Sequence, residues 1–181
     1  MKTVFFDIDT QIDFVYPAGA LYVPGAERIV PAIAELNRHA PFVISTMCAH
    51  SEDDPEFKTF PHHCVVDTAG QRKPAVTLLE KCEPPRQVIL EKQELDCFSN
   101  PRLTPLLSDL GAERCIVYGV VTEICVRLAA FGLLKTGRRV EIVTDAVQAL
   151  DADAASNMFA EFTAAGGRLT TRSAVLAESF A

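Results

Sequence analysis

Three residues in this chain combine the types and placements that acyl transfer needs. Cys125 stands in G-V-V-T-E-I-C-V (119–126), after an apolar run and near the start of a helical one. A helix N-terminus offers free N–H groups and the positive end of the helix dipole. Both lower a thiol pKa and favour the nucleophilic thiolate, and the same N–H groups can hold an oxyanion. A cysteine so placed reads, by itself, more often as a small buried hydrophobe. Its partners carry the functional reading. Lys92 ends the run V-I-L-E-K, where a cation at a sheet rim needs an anion. Taken alone, it reads as readily as a surface lysine opening a loop. Asp9 lies in D-I-D-T-Q-I-D-F, and a carboxylate there can take the thiol proton and return it to a leaving group. Asp7 and Asp13 share that segment, so spacing does not choose among the acids, and turn chemistry is the alternative for all three.

A second group lies in the stretch from Met47 to about Gln71, where hydrophobic periodicity fails. It holds three of the four histidines, two prolines and five acids. Irregular segments of this length inside a compact domain are usually functional. Cys48 precedes His50 by two, and His62 and His63 close the stretch. Imidazole and thiolate are good zinc ligands, although pairs of loop histidines also occur without metal.

The elements that must position these residues follow from periodicity. Apolar, β-branched runs predict strands over residues 2–8, 42–46, 87–91, 114–118 and 139–144, with a last one near Leu169. Helical spacing predicts helices over 25–39, 101–110, 122–136 and 151–165, with a short one over 74–79. The stretch from Phe14 to Pro24 reads as loop. Strands alternating with helices imply an α/β fold, a three-layer α/β/α sandwich with a mostly parallel central sheet. Such folds keep their chemistry past the carboxyl ends of the strands, where Asp9, Cys48, Lys92 and Cys125 all fall.

Length and composition set the frame. The 181 residues, 49% hydrophobic and 23% charged, suit one globular domain over 1–181 and exclude a disordered or coiled-coil chain. Twenty-four acids against 17 bases give a net charge of -7, and no basic cluster exceeds Arg138-Arg139, which argues against nucleic acid. No stretch approaches the roughly 18 apolar residues of a membrane span. The amino-terminal apolar run is too short for a signal peptide. The six cysteines, at 48, 64, 82, 97, 115 and 125, include no C-x-x-C pair, so reduced thiols in the cytoplasm are expected.

Together these segments resemble the isochorismatase-like cysteine hydrolase superfamily, which includes the nicotinamidases. D-T-Q-I-D-F is similar to that family's D-x-Q-x-D-F motif, V-I-L-E-K to the strand bearing its lysine, and G-V-V-T-E-I-C-V to its nucleophile signature. G-A-L-Y-V-P-G-A and V-T-D-A extend the likeness from Val4 to about Val147. The resemblance implies Cys125 as nucleophile, Asp9 as general acid/base and Lys92 between them. It places the oxyanion hole on the amides of Val121 and Cys125, a cis peptide at Val120-Val121, and Phe14 on the substrate pocket. The implied reaction is hydrolysis of a small amide, linear or aromatic, through a thioester. The namesake isochorismatases cleave a vinyl ether without the cysteine, so Cys125 argues against that reaction.

The metal region departs from the nicotinamidase pattern. Cys48 stands where the family's D-x-H motif has its aspartate, and Ala49 replaces an aromatic residue, while His50 and His63 are kept. A Cys48-His50-His63 set is compatible with zinc carrying an open position for a pyridine-like nitrogen, or with a site that has lost its metal. The covalent chemistry itself requires no cofactor. Alternatives in the same fold are a hydrolase of another small non-peptide substrate, and a non-catalytic or redox-thiol paralogue. The resemblance also implies a homo-oligomer, dimer or tetramer, for which 122–136 and 174–181 offer apolar groups.

Overall fold

The computed structural model describes residues 1–81 and 83–180; Cys82 and Ala181 lie outside them. Six strands form one sheet: β1 (Thr3–Ile8), β2 (Val43–Cys48), β3 (Gln87–Lys92), β4 (Arg114–Val120), β5 (Arg139–Gln148) and β6 (Arg168–Thr170). All neighbours pair in parallel, in the order β3-β2-β1-β4-β5-β6. Every residue of β1 and of β4 is buried, which is why these strands read as unbroken apolar runs rather than alternating ones. The helices are α1 (Ile12–Val15), α2 (Val30–His39), α3 (Leu103–Asp109), α4 (Arg127–Lys135), α5 (Ala152–Ala164) and α6 (Arg172–Leu176). Helix α2 packs on β1 and meets α6, while α4 packs on β4 and β5 and meets α5. Phe5, Phe6, Ile33, Leu36, Ile44, Ile116 and Phe162 are fully buried between the layers. Each such side chain contributes about 1.5–3 kcal/mol by leaving water.

The topology decides where a site can form. From β1 the chain steps outward to β2 and β3, returns to β4 beside β1, then steps the other way to β5 and β6. The winding reverses between β1 and β4, so a crevice opens beyond their carboxyl ends. Gly119, at φ 121°, allows β4 to close against β1 there. Any side chain at this position would collide with the Ile8 carbonyl, 2.1 Å from where its Cβ would sit.

Several segments differ from the sequence expectation. The helix expected over 122–136 starts as a π turn at Thr122–Val126, in which the Val126 N–H reaches back to the Val121 carbonyl. Strand β5 runs four residues past Thr144, with a register break against β4 between Val117 and Gly119. The expected helix at 74–79 is a single 3-10 turn, Ala75–Thr77, and the loop expected over Phe14 to Pro24 starts inside the helical turn α1, which holds Phe14 and Val15. The carboxyl-terminal segment packs on its own chain: Phe180 sets its ring edge-on to Phe5 and His39, each at 5.3 Å.

Candidate active site

Each of the four strands β1 to β4 delivers one part of a cluster at the crevice. Asp9 follows β1 with a left-handed φ of 48°, an uncommon conformation for a residue with a side chain. Lys92 ends β3 in register with Cys48, which ends β2. Cys125 sits in the π turn after β4, beyond a cis peptide bond at Val120-Val121. The structure thus brings Asp9, Lys92 and Cys125 together. Lys92 Nζ lies 2.8 Å from Asp9 Oδ2 and 4.0 Å from Cys125 Sγ. It also donates to the Glu94 carbonyl at 3.0 Å and to Cys48 Sγ at 3.3 Å. Asp9 Oδ1 accepts the Thr46 hydroxyl at 2.6 Å.

Burial sets the electrostatics. It would drive the Lys92 ammonium to shed its proton, but the Asp9 charge, with the Cys125 and Cys48 thiols, holds Lys92 well above the ordinary lysine value. Burial also pushes the Cys125 thiol well above its ordinary value; Lys92 pulls it down, while Asp9 and Cys48 push it further up. A helix terminus lowers a thiol pKa, and burial acts on Cys125 in the opposite direction.

The three acids of the first motif separate cleanly. Asp7 is fully buried and pairs with Lys73 at 3.2 Å. Asp13 accepts the N–H groups of Cys64 and Ala20 at 2.7 and 3.0 Å, clamping the long loop. Only Asp9 faces the thiol. Gln11 fixes the same loop, donating to the carbonyls of Cys48 and Gln71 and accepting the Cys48 N–H at 2.7 Å.

Beside this cluster, ligand atoms of His50, Glu56 and His63 lie within 4.8 Å of one another. Cys48 is not of this group: its thiol faces Lys92, and burial first, then the Asp9 charge, pushes it up to about 12. Glu56 supplies the third ligand atom of the group instead. The sequence offered only a weak signal for it, because D-P-E is one of several acidic steps in the loop. Asp54 caps the turn Pro55–Lys58 by accepting the Glu56 N–H, which turns Glu56 inward.

The donor set suits a cation. The Pro61 carbonyl only accepts, so His63 Nδ1 carries the proton at 2.8 Å and its Nε2 keeps a lone pair, 3.6 Å from Glu56. His50 Nδ1 faces the Asp54 carboxylate at 2.9 Å, and its fully buried Nε2 has no partner. Burial lowers the His63 pKa, keeping the ring neutral. Two imidazole lone pairs and a carboxylate converge there, a set that fits zinc.

A pocket joins the two groups. Asp9, Cys125, Glu56 and His63 line it together with an apolar wall of Phe14, Leu21, Val23, Phe60, Leu95, Ile124 and Leu150. Val121 and Cys48 also face it. The Phe14 ring stands 5.3 Å from that of His63.

Comparison with known proteins agrees with this geometry. The model of the isochorismatase domain matches residues 3–174. The chain belongs to the isochorismatase family. It is a hydrolase of that family, on the nicotinamidase-related branch. A nicotinamidase of Acinetobacter baylyi is 25% identical over 177 residues, covering 80% of each chain. A streptothricin hydrolase of Streptomyces noursei is 31% identical over 151 residues, 82% of this chain and 55% of that protein, so the chain spans about half of that relative. The zinc complex of the pyrazinamidase of Pyrococcus horikoshii superposes with a TM-score of 0.86 at 28% identity, over 94% of this chain and 99% of the other. No helix among the described residues is long and apolar enough to cross a membrane.

Proposed function

We propose that this family member is a cysteine amidohydrolase acting on small uncharged amides as one domain over 1–181. The observation that carries the reading is Lys92, whose buried ammonium stands between the Asp9 carboxylate and the Cys125 thiol. Cys125 Sγ attacks the amide carbonyl carbon as its proton passes to Asp9. Lys92 remains protonated throughout and limits the electrostatic penalty of the emerging thiolate. The oxyanion is held by the amides of Val121 and Cys125. Asp9 then returns the proton to the leaving nitrogen, and a thioester remains. Water, deprotonated by Asp9, cleaves it and restores the thiol.

His50, Glu56 and His63 would hold a zinc ion. Bound there, it supplies a Lewis-acidic open position that orients a substrate nitrogen. The residues of the chain do the rest: Asp54 and the Pro61 carbonyl hold the two rings in register, and Phe14, Leu21 and Ile124 exclude water.

The lining narrows the substrate. It includes Asp9 and Glu56 but no arginine. A carboxylate-bearing amide, such as an N-carbamoyl amino acid, would meet two acids, and the nearby Lys92 ammonium is already paired with Asp9. Nicotinamide is therefore the first substrate to try. The 31% identity to a streptothricin hydrolase favours a second reading, streptothricin as the substrate. Ammonia release from nicotinamide, pyrazinamide and an N-carbamoyl amino acid, with hydrolysis of streptothricin followed by mass, tests both, each with and without chelator. Turnover of the neutral amides alone is expected; turnover of the anionic one alone would contradict the reading.

The five described cysteines are unpaired, which suits a reducing cytoplasm. Assembly as a dimer or tetramer belongs to the same proposal, and sedimentation measures it.

A further inference from the structure

Thr46 is fully buried on β2, two residues before Cys48. A hydroxyl has one donor and two acceptor sites, and Thr46 spends both kinds on one residue. It donates to Asp9 Oδ1 at 2.6 Å and accepts the Asp9 backbone N–H at 3.1 Å. Asp9 has reason to need this: its φ of 48° is a conformation its own sterics disfavour. The other carboxylate oxygen, Oδ2, lies against Lys92. Held at one oxygen and at its backbone, the carboxylate cannot turn about its own axis.

Thr46 is itself backed by a sealed polar network. Lys73 Nζ reaches the Thr46 carbonyl at 3.5 Å and the Thr10 hydroxyl at 2.7 Å, and pairs with Asp7 at 3.2 Å. Asn37 and Ser45 donate to the same Asp7 oxygen at 3.2 and 3.1 Å, and Thr10 donates to the other. Tyr118 fixes Asn37 at 2.6 Å. No member of this network lines the pocket. Thr46 links it to the Asp9 carboxylate, and Thr10 adjoins Asp9 in the chain.

We infer that Thr46 is a positioning residue that selects which oxygen of Asp9 meets the Cys125 proton. The inference rests on the hydrolase reading above. Its consequences point in two directions at once. Burial is the main reason the Cys125 thiol sits high; of the groups facing it, Lys92 lowers it, while Asp9 and Cys48 raise it. Freeing Asp9 therefore makes the thiol easier to ionise, yet leaves its proton without a well-aimed acceptor during attack. A residue that only supported the sheet would not separate these effects.

The test compares Thr46→Val, which keeps the shape and removes the hydroxyl, with Thr46→Ser, which keeps the hydroxyl. Thr46→Ala serves as a second truncation if valine does not fold. Steady-state hydrolysis of nicotinamide and alkylation of Cys125 by iodoacetamide at neutral pH, located by peptide mass, are measured on each. In T46V, kcat is expected to fall about 10- to 100-fold with KM within about threefold. Alkylation of Cys125 is expected to quicken, and T46S to bring both values back. Unchanged kcat and alkylation in both truncations would overturn the inference, as would a serine variant that restores neither. If the wild-type protein hydrolyses no amide, the hydrolase reading fails, but alkylation still decides the Thr46–Asp9 relationship: faster in T46V and restored in T46S supports it, unchanged overturns it.

Discussion

Lys92 and Asp9 face each other across 2.8 Å with both side chains only 1% exposed. At that depth solvent screens little of the attraction, and among the described residues neither charge has another ion-pair partner. Removing only the cation strands a carboxylate in the sheet. Lys92→Met is therefore expected to cost about 3–5 kcal/mol of stability, read from urea unfolding, and to abolish turnover. A variant as stable as the wild type would contradict a buried Lys92–Asp9 ion pair.

Cys125 and Asp9 differ in what their loss should do. The Cys125 thiol lines the pocket wall, so Cys125→Ala removes little packing. Its melting temperature should stay near that of the wild type while hydrolysis falls by at least about 10⁴-fold. Asp9→Asn keeps the shape and removes the proton acceptor, and should slow hydrolysis by about 10²–10⁴-fold. Steady-state ammonia release measures both. Near-normal rates in either variant would exclude the residue from the reaction.

Much of this site was legible in the sequence, and the reasons are physical. Asp9 and Cys125 follow, and Lys92 ends, apolar runs that had to be parallel strands, so all three fell on one rim. The buried Lys73–Asp7 pair was not legible, because Lys73 lies in an irregular stretch whose path no periodicity describes. Glu56 was missed for the same reason. The assignment of Cys48 to the metal group followed chain order, whereas its place at the end of β2, in register with Lys92, turns its thiol to the lysine. The burial that raises the Cys125 thiol was not legible either, because a sequence shows a helix terminus but not the depth at which it lies.

Metal affinity separates Cys48 from Glu56. His63→Ala and Glu56→Ala should lose zinc in calorimetric titration, whereas Cys48→Ala should keep it. Asp54→Asn, which loosens the His50 ring, should weaken binding by about 10- to 100-fold. Loss of zinc in C48A equal to that in H63A would return Cys48 to the ligand set.

The pH dependence of the metal-free protein follows from His63. Burial first, opposed by its hydrogen bond to the Pro61 carbonyl, lowers its folded-state value below the ordinary 6.5. Between that lowered value and 6.5 the unfolded chain binds more protons than the folded one. This contribution to stability is full above 6.5, and it is lost as pH falls from 6.5 through the folded value. Urea unfolding of wild type and His63→Gln across pH 5–8 should show a steeper acid-side loss in the wild type. Parallel curves would mean that His63 titrates alike in both states.

The covalent step can be seen directly. Wild-type protein mixed with a slowly hydrolysed amide and quenched in acid should carry one acyl group by intact mass, on the peptide containing Cys125, with Cys125→Ala unmodified and inactive. Hydrolysis without any adduct, sustained by the alanine variant at a comparable rate, would contradict a cysteine nucleophile in this protein.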